Sequence, residues 1–362
     1  MEYVQERVAT LHDLTGTVPD APVDRTAVVV PMTEHDDATL ATERTLSTLA
    51  RHDPAAVVVP VRAPAARIPD MHDWLSGFDL PLTVLWCNAP AVDSLLAEAG
   101  VDGSPGKGRD VWLALGVAAE AAEYVVVHDA DALTYGDRHV PRLVWPLANG
   151  YRFSKGYYAR VEGGTLYGRL FRLFYAPLVR ALRERHDAPI LDYLGAFRYA
   201  LAGEFGATAA LAERLSVPAG WGLEVATLGD AFRVAGVEGS AQVDLGRHEH
   251  DHRAVGGPGG LAEMAEQVGA ALFAVVEEHG VAPDYDTLPD RYRRTAADMI
   301  DAYAADAGFN DLAFDATAES EQVAAYATAI GARAGATEIP AWRDVDLAPE
   351  DVRAAADPRD AE

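Results

Sequence analysis

Short apolar runs rich in β-branched residues alternate with longer amphipathic stretches along the first part of the chain. Four of the runs predict buried strands, at residues 26–31, 55–62, 82–88 and 124–127. Helical spacing lies between them, at about 38–50, near 93–99 and over 111–122. Strands that alternate with helices in this way predict a mainly parallel α/β sheet with right-handed crossovers.

The pattern changes after Tyr135. Further helices are predicted from about residue 166 to 185 and from about Leu223, whereas the first 14 residues show only a weak helical period. In PILDYLGAFRYALAGEF a strand or a helix fits equally, followed by a turn at Ala202–Glu204 and a helix. The next segment predicts a strand that ends in three alternating histidines, His248, His250 and His252.

A glycine-rich stretch, Gly256 to Gly260, separates this body from an alanine-rich region. Residues 256–349 predict helices whose apolar stripes would bury against the body or against a second copy of the chain, which would make a homodimer. Residues 350–362 are acidic and predict a disordered end.

Composition and charge limit the classes of function. The chain has 362 residues, 49% of them hydrophobic, which is typical of a globular protein. A net charge of -26 argues against a nucleic-acid or anionic-membrane surface, because either needs a basic face. An anionic ligand would therefore have to meet local cations.

The cationic residues are almost all arginine. Among 30 Lys and Arg residues, only Lys107 and Lys155 are lysines, and each stands beside a glycine. Low lysine with high acid is typical of halophilic archaea, whose salt screens the self-repulsion, and a GC-rich genome gives the same bias. Two lysines in such a chain are candidates for sites that need an ammonium.

Cysteine usage and the N-terminus bear on location. The one cysteine, Cys87, lies in an apolar run, which favours a core position and a reducing compartment. MEYVQERVATLHDL has no apolar segment of signal-peptide length, and no run is long enough to span a membrane. We therefore expect a cytoplasmic protein.

Two aspartates follow the buried run at 124–127. Ligands of open α/β sheets bind beyond the carboxyl ends of strands, so Asp129 and Asp131 could face a metal-bound diphosphate. The same Asp-x-Asp spacing recurs at Asp284 and at Asp344, but only the first copy follows a strand. An acidic turn that solvates the strand end is the alternative.

Four other residues could carry chemistry. Lys107, between two glycines before a helix, could bind phosphate or be a solvated lysine. His250 could join Asp131 on a divalent ion, and a separate zinc site of histidines alone is the rival. Glu224 could be a helix-capping acid, and Arg169 a solvated side chain or an anion-binding group.

Eight segments together resemble a known family. In order they are PMTE, GKGRD, VVVHDAD, SKGYYAR, YGRLFRLFYAPLVRAL, ALAGEF, WGLEVATLGDAF and AQVDLGRHEH. They are similar to retaining glycosyltransferases of the glucosyl-3-phosphoglycerate synthase type (family 81), which have a GT-A fold and transfer glucose from a nucleoside diphosphate sugar to 3-phosphoglycerate, a step in making compatible solutes. The resemblance covers roughly residues 26–275 and is most specific around Glu204, around Glu224 and in the strand before the histidines.

The resemblance implies a GT-A domain over residues 1–255, with a nucleotide half at about 25–135 and an acceptor half at about 136–255. It implies these contacts to the donor, UDP-glucose in the family: Pro31, Met32, Thr33, Glu34, Lys107, Asp129 and Asp131. A Mg²⁺ or Mn²⁺ ion would bind Asp131 and His250. Catalysis would rest on Glu224, Asp131 and Lys107.

The acceptor half is implied by other matches. Gly168 and Arg169 match the family's Gly-Arg pair that binds the acceptor phosphate, and the further acceptor residues are Gly203, Glu204 and His248. Lys155 joins them on charge, as a second cation for a small anion. Two positions depart from the family, since Phe171 replaces a threonine and His248 an arginine, and the motif PMTEHD lacks a leucine and an asparagine or aspartate. Both substitutions weaken a phosphate pocket.

The resemblance implies same-face attack by the acceptor hydroxyl, assisted by the leaving phosphate, with no covalent role for Glu224. Two other functions remain as alternatives. A sugar-phosphate nucleotidyltransferase also places acids after an α/β sheet, but its glycine-rich loop has no counterpart in PMTEHDD. A non-catalytic sugar-nucleotide-binding protein would not need all of Asp129, Asp131, Glu224 and His250.

Overall fold

Buried strands from both halves of the chain form one large sheet. The computed structural model describes residues 5–101, 103–251, 258–331 and 338–361. Its strands are β1 (Ala9–Leu11), β2 (Thr26–Val29), β3 (Met32–Thr33), β4 (Ala56–Arg62), β5 (Leu82–Trp86), β6 (Tyr124–Val127), β7 (Phe153–Glu162), β8 (Thr165–Leu166), β9 (Phe205–Thr208), β10 (Val217–Pro218), β11 (Ser240–His248) and β12 (Glu338–Ile339).

The helices that cover the sheet and form the C-terminal region are α1 (Leu40–Ala50), α2 (Ile68–Leu75), α3 (Pro90–Glu98), α4 (Lys107–Ala121), α5 (His139–Ala148), α6 (Ala176–Arg183), α7 (Pro189–Leu194), α8 (Ala209–Ala212), α9 (Leu223–Ala235), α10 (Pro258–Glu278), α11 (Leu288–Phe309), α12 (Ala316–Tyr326) and α13 (Pro349–Ala355). Leu170–Tyr175 forms a π-helical turn before α6. None of the helices in the described ranges combines the length and apolar character needed to cross a bilayer.

Ten strands of the described chain make the main sheet. Their order is β1-β11-β7-β9-β6-β2-β4-β3, with β5 against β4 and β8 against β7. All of these pairs are parallel except those of β9 and β8, and β9 lies antiparallel between β6 and β7. The predicted mainly parallel α/β fold is confirmed.

Local sequence explains where the central elements begin and end. β2 and β6 are Val-rich and almost wholly buried, because helices cover both faces of the sheet. Thr39 caps α1 by accepting a hydrogen bond from the Thr42 amide. α9 starts after Gly222, whose left-handed φ of 106° suits glycine, and an added Cβ there would lie 2.7 Å from the Ala271 side chain.

Some sequence predictions differ from the structure. Residues 9–11 form a strand that pairs with β11 instead of a helix, since sheet pairing outweighs a weak helical period. Pro189–Leu194 is a helix, and the turn at Ala202–Glu204 leads into strand β9 before the short α8. The long helix expected over 166–185 begins with the π-helical turn at residue 170.

The acidic C-terminal end is folded, contrary to the prediction of disorder. Residues 349–355 form α13, in which Val352 is fully buried. Composition misled here because Val352, Ala356 and Pro358 are buried against the body. In the region before it, α10 packs on α9 and α11 packs on α6.

Candidate active site

The exits of β2 and β6 lie side by side. The two strands pair in register from Thr26 with Tyr124 to Val29 with Val127. The segment after β2, Pro31–Glu34, therefore lies beside Asp129 and Asp131, and within it Met32–Thr33 pairs with β4 as β3. A turn closes this exit, in which the Thr33 amide donates to Asp36 Oδ2 at 2.7 Å. Burial, followed by the nearby charges of Asp131 and Asp129, raises the pKa of Asp36.

An ion triad occupies the centre of the site. Lys107, the first residue of α4, places its Nζ 2.8 Å from Asp129 Oδ1 and 3.2 Å from Glu224 Oε1. Burial alone would lower the pKa of Lys107, but the two carboxylates raise it above its ordinary value. Burial alone would raise the pKa of Asp129, yet Lys107 and the nearby histidines bring it down to about 2. Lys107 and Asp129 are therefore held in their charged forms.

Glycine allows another segment to approach Asp129. An added Cβ on Gly203 would lie 2.2 Å from Asp129 Oδ2, closer than any side chain could stand. The turn Ala202–Glu204 is thus packed directly against the carboxylate. This close contact explains why glycine precedes Glu204 in the sequence.

Asp131 and His250 form the second polar pair. Asp131 Oδ2 lies 3.0 Å from His250 Nδ1. The pair is fixed by backbone contacts, because Ala132 and His250 form an isolated β-bridge and the Asp251 amide donates to the Asp131 carbonyl at 2.8 Å. Burial by itself lowers the pKa of His250, but Asp131 raises it above its ordinary value.

The donor set of this pair fits a divalent ion. One imidazole and one carboxylate suit Mn²⁺, and Mg²⁺ would rely on the oxygen. No group of three His, Cys, Asp or Glu side chains in the described ranges could hold a metal by itself. A divalent ion at Asp131 and His250 would therefore take further ligands from diphosphate oxygens. His252, the third histidine, lies outside the described residues.

Lys155 is placed differently from its prediction as an acceptor-binding cation. Its side chain is fully buried, and its Nζ donates to the Ala202 carbonyl at 2.6 Å. It also lies 5.7 Å from the centre of the Phe205 ring. Since β7 pairs with β9 through this residue, Lys155 supports the turn Ala202–Glu204 from behind. Sequence alone could not tell a buried ammonium from a pocket cation.

Glu204 and His248 lie together close to the Asp131–His250 pair. His248 Nε2 is 4.0 Å from Glu204 Oε1, and both side chains are buried. Burial, with Asp129 nearby, raises the pKa of Glu204 to about 7. Burial lowers the pKa of His248 well below its ordinary value. Near neutral pH, His248 is therefore neutral and the Glu204 carboxyl is only partly ionised.

An aromatic row joins the Asp131–His250 pair to the Gly168–Arg169 turn. We give this name to Phe171, Tyr199, Tyr158 and His248. Neighbouring rings lie 4.9, 4.9 and 4.1 Å apart between centroids, and His248 lies 4.4 Å from His250. An added Cβ on Gly168 would lie 2.9 Å from the Tyr199 hydroxyl, so the Gly168–Arg169 turn rests on the row. Arg169 itself is exposed.

The structure brings together most of the residues predicted from sequence, and it adds some that the sequence patterns missed. Lys107, Asp129 and Glu224 come from three distant parts of the chain. Tyr158 and Tyr199 were not predicted, because a tyrosine within an apolar segment usually indicates a core residue. Asp36 lies in the segment PMTEHDD, where the spacing Thr33-x-x-Asp36 is a turn signal that could have identified it.

Comparison with known proteins shows which family the chain belongs to. No family model matches the chain. The chain is 32% identical over 356 residues to the glucosyl-3-phosphoglycerate synthase of Methanococcoides burtonii, covering 91% of this chain and 88% of the relative. The chain belongs to the glucosyl-3-phosphoglycerate synthase family. The family resemblance seen in the sequence is confirmed.

Solved structures of the same family agree. The glucosyl-3-phosphoglycerate synthase of Mycobacterium tuberculosis in complex with Mn²⁺, UDP-glucose and phosphoglyceric acid superposes with a TM-score of 0.57 at 26% identity, covering 76% of this chain and 89% of that one. Its complex with Mg²⁺ and UDP gives a TM-score of 0.56 at 26% identity, covering 76% and 88%. The predicted GT-A glycosyltransferase fold is confirmed.

Proposed function

We propose that the protein transfers glucose from UDP-glucose to 3-phosphoglycerate, or to a closely similar small anion, with retention at the anomeric carbon. The observation that carries the proposal is the convergence of the Lys107–Asp129–Glu224 triad and the Asp131–His250 pair at the exit of β6, in a chain that belongs to this family. The M. tuberculosis relative binds the same donor and acceptor types with Mn²⁺.

The donor would lie across the exits of β2 and β6. Pro31–Glu34 would face the nucleoside, and Asp129 the ribose. Asp131 and His250 would hold Mn²⁺ or Mg²⁺, which when bound supplies Lewis-acid neutralisation of the diphosphate charge. Lys107, already pre-positioned by two carboxylates, would stand beside the diphosphate with no reorganisation during the reaction.

Glu224 would orient the transferred sugar and not attack it. Its Oε1 is bonded to the Lys107 ammonium at 3.2 Å, and an ion-paired carboxylate is a poor nucleophile. A hydrogen-bonding role near the sugar hydroxyls fits its place in the first turn of α9. The acceptor hydroxyl would then attack on the face from which the diphosphate leaves. Positioning and charge stabilisation would carry the rate.

The acceptor would bind at the Gly168–Arg169 turn. Arg169 is exposed, and in the described residues no carboxylate forms an ion pair with it, so its guanidinium is available for a phosphate or carboxylate. Losing one charge-assisted contact costs about 1.5–3 kcal/mol, so Arg169→Ala should raise the acceptor KM roughly 10- to 100-fold. Donor affinity should stay unchanged. Arg180→Ala, which removes another exposed arginine from α6, is the control. Loss of donor binding in Arg169→Ala would contradict this placement.

A donor-by-acceptor panel with Mn²⁺ or Mg²⁺, at low and high salt, tests the function. We expect nucleoside diphosphate release and a product of hexosyl-acceptor mass only where UDP-glucose meets a phosphorylated or carboxylated small acceptor. Pyrophosphate release from a nucleoside triphosphate and a sugar phosphate would instead indicate a nucleotidyltransferase. Binding without turnover would indicate a non-catalytic protein. We also propose a cytoplasmic location, because the one cysteine, Cys87, is buried and free.

A further inference from the structure

Besides Arg169, the acceptor half contains another arginine near the site, which the sequence patterns did not identify. Arg160 lies near the end of β7, in register with His248 on β11. Its side chain is 19% exposed, and its Nη2 donates to Glu162 Oε1 at 3.0 Å. Position 248 is where the family resemblance predicts an arginine and this chain has histidine. The neighbouring strand thus places a guanidinium beside the position that lacks one.

Both departures from the family lie at the ends of the aromatic row. Phe171 stands at one end and His248 at the other, with Tyr199 and Tyr158 between them. The substitutions therefore belong to one packed wall, which replaces two polar groups by rings. Arg160 lies along this wall, where its charge acts on both Tyr199 and Tyr158.

Arg160 is also tied to the turn that carries Arg169. The Tyr167 amide donates to the Arg160 carbonyl at 2.9 Å. The Tyr199 hydroxyl, on which the charge of Arg160 acts, lies where a Cβ on Gly168 would approach to 2.9 Å. Gly168 has a φ of 77°, which glycine adopts without strain. The two arginines are thus held by one local network of β7, the row and the turn.

The guanidinium of Arg160 has donor capacity to spare. Of its five N–H donors, the Nε is buried and has no hydrogen-bond partner among the residues that the structure describes. The side chain as a whole is partly exposed, so its outer N–H groups are within reach of an anionic oxygen. A partly exposed guanidinium beside the Gly168–Arg169 turn suits recognition of a phosphate or carboxylate.

We propose that Arg160 is the second guanidinium of the acceptor pocket and contacts the anionic acceptor together with Arg169. The proposal rests on the proposed function and deepens it, because it names the cation that serves in place of an arginine at position 248 and of the buried Lys155. It also predicts that the acceptor carries two anionic groups or one doubly charged phosphate, since it would contact two guanidinium groups.

Steady-state kinetics of three variants test the proposal. Arg160→Met should raise the KM for 3-phosphoglycerate at least about 10-fold and leave the KM for UDP-glucose unchanged. Arg247→Met, which removes an exposed arginine of the adjacent strand, is the matched control and should change neither value. Glu162→Gln removes the acid that pairs with Arg160, so it should leave the acceptor KM unchanged or lower it.

The Glu162 variant separates binding from structure. If Arg160 served only the ion pair, Arg160→Met and Glu162→Gln would lower the melting temperature alike and would change the acceptor KM alike, and that result would overturn the proposal. An unchanged acceptor KM in Arg160→Met would also overturn it. Should Arg160→Met fail to fold, Arg160→Lys keeps the charge but loses the bidentate fork, and we expect a several-fold higher acceptor KM. A wild-type KM in the lysine variant would then decide against the proposal.

Failure of the proposed function would look different. If the wild-type enzyme turns over another anionic acceptor of the panel and not 3-phosphoglycerate, the acceptor identity is wrong, and the same variants are compared with the acceptor that works. A raised KM in Arg160→Met would then still support the inference. If calorimetry with Mn²⁺ and UDP present detects no binding of 3-phosphoglycerate or of any panel anion to the wild type, both proposals fail.

Discussion

Lys107 is the residue on which the charge balance of the site depends. Asp129 and Glu224 each lie within 3.2 Å of its Nζ, and without the ammonium these two carboxylates would repel each other and any diphosphate. With it, Asp129 and Glu224 are held in place by ion pairs, and the site contains a fixed ammonium. The surviving lysine of a lysine-poor chain is thus explained by a place where a compact charge must meet two acids at once.

We expect the metal dependence of donor binding to rest on Asp131 and His250. Asp131→Asn or His250→Ala should weaken Mn²⁺-dependent UDP-glucose binding at least ~10–100-fold, because loss of a residue that only hydrogen-bonds a metal ligand already weakens metal binding by that factor. Calorimetric titration of UDP-glucose with and without Mn²⁺ measures it. Glu249→Gln, on the same segment but paired with Arg247, is the control. Unchanged metal-dependent affinity in both variants would remove the pair from the site.

Lys155 gives a pH signature. Burial lowers its pKa to about 8, whereas the unfolded chain keeps an ordinary lysine value near about 10.4. Between these two pKa values the unfolded chain binds more protons than the folded chain, so the free energy of unfolding rises with pH in this range. Below about pH 8 both states are protonated, and the folded state bears the whole free-energy cost of the buried charge. Between pH 8 and 10 the wild type should gain about 1.4 kcal/mol of unfolding free energy per pH unit relative to Lys155→Met. Parallel denaturation profiles for the two proteins would contradict the buried-ammonium assignment.

At the scale of elements, α4 links the site to the C-terminal end. Its first residue is Lys107, and further along Trp112 stacks on Trp342 with ring centroids 4.8 Å apart. Trp342 Nε1 donates to the Trp112 carbonyl at 2.6 Å, and Trp112 Nε1 donates to the Pro340 carbonyl at 2.9 Å. The C-terminal residues therefore fix the helix that presents the ammonium.

Gly116 tests this contact. An added Cβ would lie 2.1 Å from the Trp342 ring, so Gly116→Ala should lower the free energy of unfolding by roughly 1–3 kcal/mol through overpacking. Gly308→Ala is the matched control, because Gly308 is also helical but faces open space. There the higher helix propensity of alanine should stabilise slightly. Chemical denaturation compares the two, and equal effects would mean that Trp342 does not pack on α4 as described.

A buried ion pair joins two other elements. Arg172, in the π-helical turn before α6, donates to both carboxylate oxygens of Glu319 on α12, at 2.8 and 2.7 Å. Glu319→Ala should cost about 3–5 kcal/mol, because it leaves a buried charge unpaired. Asp290→Ala breaks the exposed pair with Arg293 on α11 and should cost at most about 1 kcal/mol. Similar denaturation midpoints for the two variants would contradict the buried pairing.

At the scale of the whole molecule, the C-terminal helices complete the core. Tyr292 is fully buried and donates to the Leu173 carbonyl at 2.6 Å, and α10 covers the face of α9 behind Glu224. A chain ending at Gly256 should therefore expose a large apolar surface, aggregate and lose activity. Light scattering and an activity assay of both lengths measure this. A truncated chain that stays monomeric and active would show that these helices are dispensable. If the full-length protein is a dimer, the helices also contact a second copy of the chain.

Hydrophobic periodicity and short motifs determined much of this protein in advance. The strands at 26–31, 55–62, 82–88 and 124–127 were predicted within two residues at each end, because short apolar runs rich in β-branched residues and bounded by turn signals favour buried strands. The aspartates after β6, the glycine-flanked Lys107 and the acid of α9 could also be recognised in the sequence. Each is a charged residue at the end of a strand or the start of a helix, and lysine is rare in this chain.

Only the tertiary structure decided the rest, since it depends on contacts between distant residues. Whether Lys155 faced a ligand or the core depended on β9 lying against β7. The acidic end folded because its few apolar side chains found α4 and its neighbours, which composition cannot reveal. Arg160 became a candidate only when strand register set it beside His248 and the row of rings joined it to Gly168. Local sequence specifies elements and chemistry, whereas packing chooses which of the chemical groups meet.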